Sequence, residues 1–287
     1  MMSPARAALR LTLFLLWTVA VALPYAALMG ARLPHRWLAR VYWRSVTRII
    51  GLRVRLVRGR FTRARPLLIL SNHTSYLDIV VLGALADAGF VAKSEVGTWP
   101  GFGLLARLGR TVFVERKRAS TGKGRDDIAR RLTEGEPLVL FPEGTSNDGN
   151  RVLPFKSALL AVAEPRRRVA AAPDAVAAGP PLCIQPVSLA YTRLDGLPIG
   201  YGWRPFYAWY GDMDLAPHLW TVLGLGTVTA EVIVHDPVDP AAYPSRKALA
   251  QKCHALVASG VSELLSGRGP ATDRHREDTP HDDAGDP

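Results

Sequence analysis

Hydrophobic and polar positions divide the chain into an uncharged N-terminal stretch, a series of short apolar runs and a polar tail. No charged residue occurs from Leu11 to Ala31, and about 21 helical residues span about 32 Å, the thickness of a hydrocarbon core. Immediately afterwards Arg32, Arg36, Arg40, Arg44 and Arg48 recur every fourth residue, with Leu33, Trp37, Leu38, Val41, Tyr42, Val46 and Ile49 mostly on the other side. That period predicts an amphipathic helix with a slowly spiralling basic stripe.

Further along, the apolar runs shorten to strand length. Pro66–Leu70, Gly109–Arg116, Pro137–Leu140 and Ile184–Leu189 are rich in β-branched and aliphatic residues, and Thr227–His235 alternates as a strand. Leu77 and Ile79–Leu82 open an apolar helix or strand, and Pro244–Leu265 reads as a helix with Pro244 near its start. Glu164–Pro181 has the residues of a helix end and a loop. Tyr201–Trp220 gathers Trp203, Phe206, Tyr207, Trp209, Tyr210 and Trp220, which fit a core, the wall of an acyl channel or a lipid contact. The expected organisation is a membrane anchor and amphipathic helix over 1–52, one α/β domain over 53–265 and a disordered polar tail over 266–287.

Charge narrows the partners. A formal charge of +11 and a pI near 10.1 call for an anionic surface. The membrane-length stretch favours a bilayer over nucleic acid, which would account for the pI alone. The tail runs against this balance, with six acidic residues between Asp273 and Asp286 against Arg274 and Arg276. If the N-terminal stretch spans, five arginines after it against Arg6 and Arg10 before it put the body in the cytoplasm. A monotopic hairpin bent at Pro24 gives the same side, and a cleaved signal peptide is the rival reading. Cys183 and Cys253 lack metal-like company, and Cys183, in an apolar run, is expected in the core.

The candidate chemistry begins at Ser71-Asn72-His73-Thr74-Ser75-Tyr76-Leu77-Asp78. His73 and Asp78 can meet only if His73 precedes the helix and Asp78 lies in its first turn, since residues five apart on one helix diverge by about 140°. Asn72, Thr74 and Ser75 are helix-capping types, and Ser75 with Asp78 has capping-box spacing. An imidazole held by a carboxylate can take a proton from a hydroxyl. The bland alternative is a polar strand end beside a helix cap. Spacing alone does not separate the two, and His281 and Asp286 repeat it in the tail.

Three further blocks follow: Val112-Phe113-Val114-Glu115-Arg116, a short strand closing on an arginine; Phe141-Pro142-Glu143-Gly144-Thr145, at a second strand end; and Ile184-Gln185-Pro186-Val187-Ser188-Leu189, an apolar strand containing a proline. In this order, from about Leu67 to Leu189, they resemble the glycerolipid acyltransferase family, which contains the lysophosphatidate (1-acylglycerol-3-phosphate) acyltransferases. The resemblance implies an α/β sheet flanked by helices, behind an N-terminal membrane-associated helical segment. It implies acyl transfer from an acyl carrier protein or coenzyme A thioester to a lysolipid hydroxyl, at a membrane, without metal or other cofactor. His73 would be the general base and Asp78 its orienting acid. Arg116, Glu143, Gly144 and Thr145 would bind the acceptor.

One departure bears on the acceptor. Where many phospholipid-type relatives carry an arginine soon after the threonine, this chain reads Thr145-Ser146-Asn147-Asp148-Gly149-Asn150-Arg151. Arg151 or Lys156 could supply that charge from further on. Lysophosphatidate is the first expectation, and a lyso-ornithine lipid or another lysophospholipid is the alternative. A non-enzymatic lipid-surface binding protein would account for the anchor and the charge, but not for the intact His73, Asp78 and Glu143.

Overall fold

The computed structural model describes residues 2–98, 109, 111–114, 122–163 and 180–267. Among these, Pro4–Gly30 (α1) and Arg36–Ile49 (α2) precede an alternation of strands and helices. It runs Leu52–Arg58 (β1), Leu67–Ser71 (β2), Leu77–Leu85 (α3), Gly89–Lys93 (β3), Val112–Val114 (β4), Gly122–Thr133 (α4) and Leu138–Leu140 (β5). Then come Cys183–Leu194 (β6), Leu197–Pro198 (β7), Leu215–Gly224 (α5), Val228–Val234 (β8) and Arg246–Leu265 (α6).

The strands form one sheet in the order β1-β8-β6-β2-β5-β3-β4, with β7 paired to β6. From β6 to β4 all neighbours are parallel, while β8 runs antiparallel to β6 and parallel to β1. β2 lies in the middle and is buried throughout, which is why its sequence is uninterrupted apolar rather than alternating. Its residues nevertheless divide by face. Leu67 and Ile69 pack with α1, α2, α3 and α5, whereas Leu68 and Leu70 pack with α4 and α6. The result is three layers, helices on both sides of a mostly parallel sheet.

The uncharged N-terminal stretch forms α1, which does not project from the body. Its inward positions, Ala7, Leu11, Phe14, Thr18, Val21, Tyr25 and Leu28, recur at steps of three and four, making a seam against α5 and α2. Ser3 N–H donates to Gly224 O, and Arg10 donates to the carbonyls of Leu223, Leu225 and Gly226 at the C-terminus of α5. There a cation meets the exposed carbonyls and the negative end of the helix dipole. Leu9, Leu13, Leu16 and Leu23 are left on the outer face.

In α2 the expected separation of apolar and basic faces is only partial. Leu38, Tyr42 and Val46 face inward, but Trp37 and Val41 are exposed beside Arg40 and Arg44. Arg36 and Arg40 pair with Asp87, and Arg44 donates to Ala84 O, so part of the stripe closes the C-terminal end of α3. Two other expectations shift. Cys253 is the core cysteine, while Cys183 is partly exposed at the start of β6. The last helix begins at Arg246, capped by Ser245 Oγ on Ala248 N–H, with Pro244 just outside it. Most of the acidic tail and of Glu164–Pro181 lies outside the described residues.

Candidate active site

Parallel pairing of β2 with β5 aligns the two main motifs. Leu70 sits opposite Leu140, so the residues three beyond each, His73 and Glu143, leave the sheet side by side at its carboxyl edge. That edge is where ligands collect in such sheets. Asn72 makes the departure possible: its side-chain amide donates to Leu189 O, and its Oδ1 accepts from Leu189 N–H, both at 2.9 Å. The side chain thus takes over the ladder to β6, freeing the backbone to turn and present His73.

The third motif clamps the His73 peptide from both sides. Its N–H donates to Glu143 Oε1 at 2.7 Å, and its carbonyl accepts from the N–H and side-chain amide of Asn147, each at 3.2 Å. The imidazole stacks on Phe141, centroids 4.1 Å apart and planes 18° from parallel. Nδ1 lies 2.9 Å from Asp78 Oδ2. His73 precedes α3 and Asp78 is in its first turn, the arrangement the spacing required.

Asp78 is fully buried. Oδ2 also accepts from the N–H groups of Thr74 at 2.7 Å and Ser75 at 2.9 Å, while Oδ1 accepts from Tyr191 Oη at 2.7 Å. The carboxylate therefore only accepts, which puts the proton on Nδ1 and leaves the Nε2 lone pair available. The Ser75 bond is half of a capping box. The reciprocal half is absent, since Ser75 Oγ is buried without a partner among the described residues.

Glu143 is buried, and both of its oxygens are occupied by the protein. Oε1 holds His73 N–H, and Oε2 accepts from Asn147 Nδ2 at 2.7 Å and Leu153 N–H at 2.9 Å. Burial lifts its carboxyl to about 7, against the pull of those three donors and of His73. Gly144 adopts φ +68°, and a Cβ there would come within 3.1 Å of Lys156 Nζ, so the motif and Lys156 are close neighbours. Thr145 is exposed and donates to Ser146 O. Gly149, at φ +76°, packs on Thr74, where a Cβ would meet Cγ2 at 2.9 Å. Asp148, held between Asn147 and Gly149, bonds among the described residues only within its own loop, to Asn150. Arg116 lies outside the described residues; β4, the strand leading to it, runs parallel to β3 with its carboxyl end on the same edge.

The structure thus brings His73, Asp78, Glu143, Gly144 and Lys156 together and adds Asn72, Phe141, Asn147 and Tyr191 to the cluster around them. Tyr191 is traceable in the sequence as the residue continuing the Val187-Leu189 face of a strand at period two.

The profile of the Acyltransferase family matches residues 54–189. The chain is 44% identical over 241 residues to the lyso-ornithine lipid O-acyltransferase of Brucella abortus, covering 83% of this chain and 87% of that one. It is 29% identical to the 1-acyl-sn-glycerol-3-phosphate acyltransferase of Neisseria gonorrhoeae, covering 75% of this chain and 76% of that one. Its fold is similar to that of the crystal structure of the 1-acyl-sn-glycerophosphate acyltransferase PlsC from Thermotoga maritima. The TM-score is 0.56 at 20% identity, over 89% of this chain and 98% of that one.

Proposed function

The chain belongs to the acyltransferase family, and from that premise we propose that it transfers a fatty acyl group from a thioester to the free hydroxyl of a lyso-ornithine lipid. The observation that carries the chemistry is the His73–Asp78 pair, a partly exposed imidazole whose Nδ1 is held by a buried carboxylate. Nε2 takes the hydroxyl proton as the oxygen attacks the thioester carbonyl, and Asp78 stabilises the imidazolium. The new C–O ester bond forms, the C–S bond breaks, and His73 returns its proton to the departing thiolate. A thioester is already activated, so no covalent acyl-enzyme and no cofactor is required. The donor is an acyl carrier protein or coenzyme A thioester, both anionic partners for a chain of +11.

Two observations favour the ornithine acceptor over the phosphate-bearing one. Relatives named for the lyso-ornithine reaction are 33 to 44% identical, against 29% for the Neisseria glycerophosphate enzyme. In addition, the loop clamped to His73 carries Asp148, an anion that would oppose a phosphate and suit an ammonium group. Lysophosphatidate is the second reading, favoured by the Lys156 ammonium beside Gly144, with Arg116 as the phosphate ligand. In either case Gly144 and Thr145 border the acceptor, while Glu143 acts by holding the His73 loop.

The outer leucines of α1, with Trp37 and Val41 among the arginines of α2, would rest on the cytoplasmic leaflet of an anionic membrane. The seam along the length of α1 favours this monotopic arrangement over a helix crossing alone. A purely lipid-binding protein would have no use for the buried partners of His73.

The test offers purified protein labelled acyl thioester with lyso-ornithine lipid or lysophosphatidate at equal concentration, products being identified by mass. Lyso-ornithine lipid should be acylated about tenfold faster or more, a difference of about 1.4 kcal/mol in barrier. Lysophosphatidate faster by that margin overturns the ornithine reading.

A further inference from the structure

Away from the catalytic pair, the segment between β7 and α5 presents an unusual surface. Tyr201, Trp203 and Phe206 are 71%, 65% and 45% exposed, and the rings of Trp203 and Phe206 stack with centroids 5.1 Å apart. Exposed aromatic rings gathered on one segment are the kind of apolar surface that marks an interaction site. The segment is nevertheless firmly held. Tyr207 is buried and stacks on Tyr191, the residue that bonds Asp78. Trp209 N–H donates to Thr74 O in the first motif. Arg204 donates to Asn150 Oδ1 and to Leu265 O. The aromatic tips therefore ride on a loop tied to both motifs of the active site.

We infer that this loop is a second membrane contact, placing Tyr201, Trp203 and Phe206 in the headgroup region so that the His73 cleft opens at the bilayer surface. The inference rests on the reading that the acceptor is a bilayer lipid and that α1 lies on the membrane. Continuity with α1 favours a bilayer over a protein partner. β6 and β7 turn at Asp195, whose carboxylate accepts from Thr227 N–H next to Gly226, a carbonyl partner of Arg10 on α1, and α5, which follows the loop, packs along α1. The loop that carries the rings thus runs between two elements that lie beside the N-terminal half of α1, where Leu9 and Leu13 are exposed. Tyrosine and tryptophan also suit the boundary, each having an apolar ring and a polar tip. Arg193 and Arg204 stand against Asp195, Asp212 and Asp214, so charge contributes little and the contact should resist salt.

The experiment uses the full chain with Cys183→Ser and Cys253→Ala. A nitroxide is attached through Trp203→Cys, Leu13→Cys or, on the opposite layer, Lys247→Cys. Collision with oxygen and with a water-soluble nickel chelate is measured with and without phosphatidylglycerol–phosphatidylethanolamine vesicles. Vesicles should shield labels 203 and 13 from nickel and raise their oxygen contact at both low and high salt, leaving 247 unchanged. Label 203 open to nickel while 13 is shielded overturns the loop contact and spares the α1 reading. Both labels open overturns both. Immobilisation of 203 by a second copy, or by an acyl carrier protein alone, also overturns it in favour of a protein partner.

As a check independent of labelling, Trp203→Ser/Phe206→Ser should raise the half-saturating lysolipid concentration in vesicles by about tenfold, since membrane binding follows buried apolar area. Turnover of a water-soluble short-chain acceptor should stay within about twofold. Equal losses on both acceptors would overturn the inference.

Discussion

Glu143→Gln separates two roles for the buried acid of the third motif. In the structure its carboxylate accepts three hydrogen bonds, from His73 N–H on one oxygen and from Asn147 and Leu153 on the other. Glutamine keeps one acceptor and turns the other position into a donor. The cheaper orientation gives up the single bond to His73 N–H and keeps the pair on Oε2. An unsatisfied buried donor costs about 1–3 kcal/mol, so if that cost falls on the geometry of His73, kcat drops about 5-fold to about 150-fold. The Michaelis constant for the lysolipid should change little, because both Glu143 oxygens are buried and bonded within the protein. Stability should move separately. The carboxyl is raised from 4.5 to about 7, so its favourable contribution is complete below about pH 4.5 and is lost as pH rises through about 7. Relative to wild type, the variant's melting temperature should therefore improve across that interval, a swing of about 3 kcal/mol at about 1.4 kcal/mol per tenfold. Steady-state kinetics with the acceptor varied, and thermal melts from pH 4.5 to 8, check both parts. A raised Michaelis constant with kcat intact would refute the clamp and restore Glu143 as an acceptor ligand.

Tyr191→Phe removes one donor from Asp78 without changing the strand, and should lower kcat about tenfold with the acceptor Michaelis constant unchanged. The acid limb of the pH–rate profile should move to higher pH; a profile unmoved in both height and position would reduce Tyr191 to packing. Arg10→Ala takes three carbonyl contacts from the end of α5, and amide exchange over the first half of α1 should speed by about tenfold, charged hydrogen bonds contributing about 1.5–3 kcal/mol. Unchanged exchange would mean that the apolar seam alone holds the helix.

Much of this site was legible because strand ends announce themselves. Leu67–Leu70 and Leu138–Leu140 are buried runs, the first ending at Ser71-Asn72-His73 and the second leading through Phe141-Pro142 to Glu143, and the break before Leu77 told that His73 and Asp78 could meet. What the chain could not display was register. The clamp between His73 and Glu143 follows from Leu70 lying opposite Leu140, a pairing between segments 70 residues apart. Asn72 read as a helix cap, and its ladder-replacing bonds to Leu189 depend on β6 arriving beside it. The family resemblance puts Glu143 among the acceptor-binding residues; the three donors that converge on it depend on strand pairing and loop closure that the sequence does not display. In α2, helical period predicted two faces but could not tell that α3 would end where Arg36, Arg40 and Arg44 reach it.

The most direct measurement is the single-turnover rate of acyl transfer from labelled thioester to lyso-ornithine lipid by purified His73→Ala, compared with wild type. Circular dichroism and vesicle binding are checked on the same samples. The imidazole is partly exposed and makes one side-chain hydrogen bond among the described residues, so fold and membrane attachment should survive while the rate falls about 10²-fold or more. A folded, membrane-bound His73→Ala protein that retains acyl transfer within about threefold of wild type would contradict the assignment of His73 as the base.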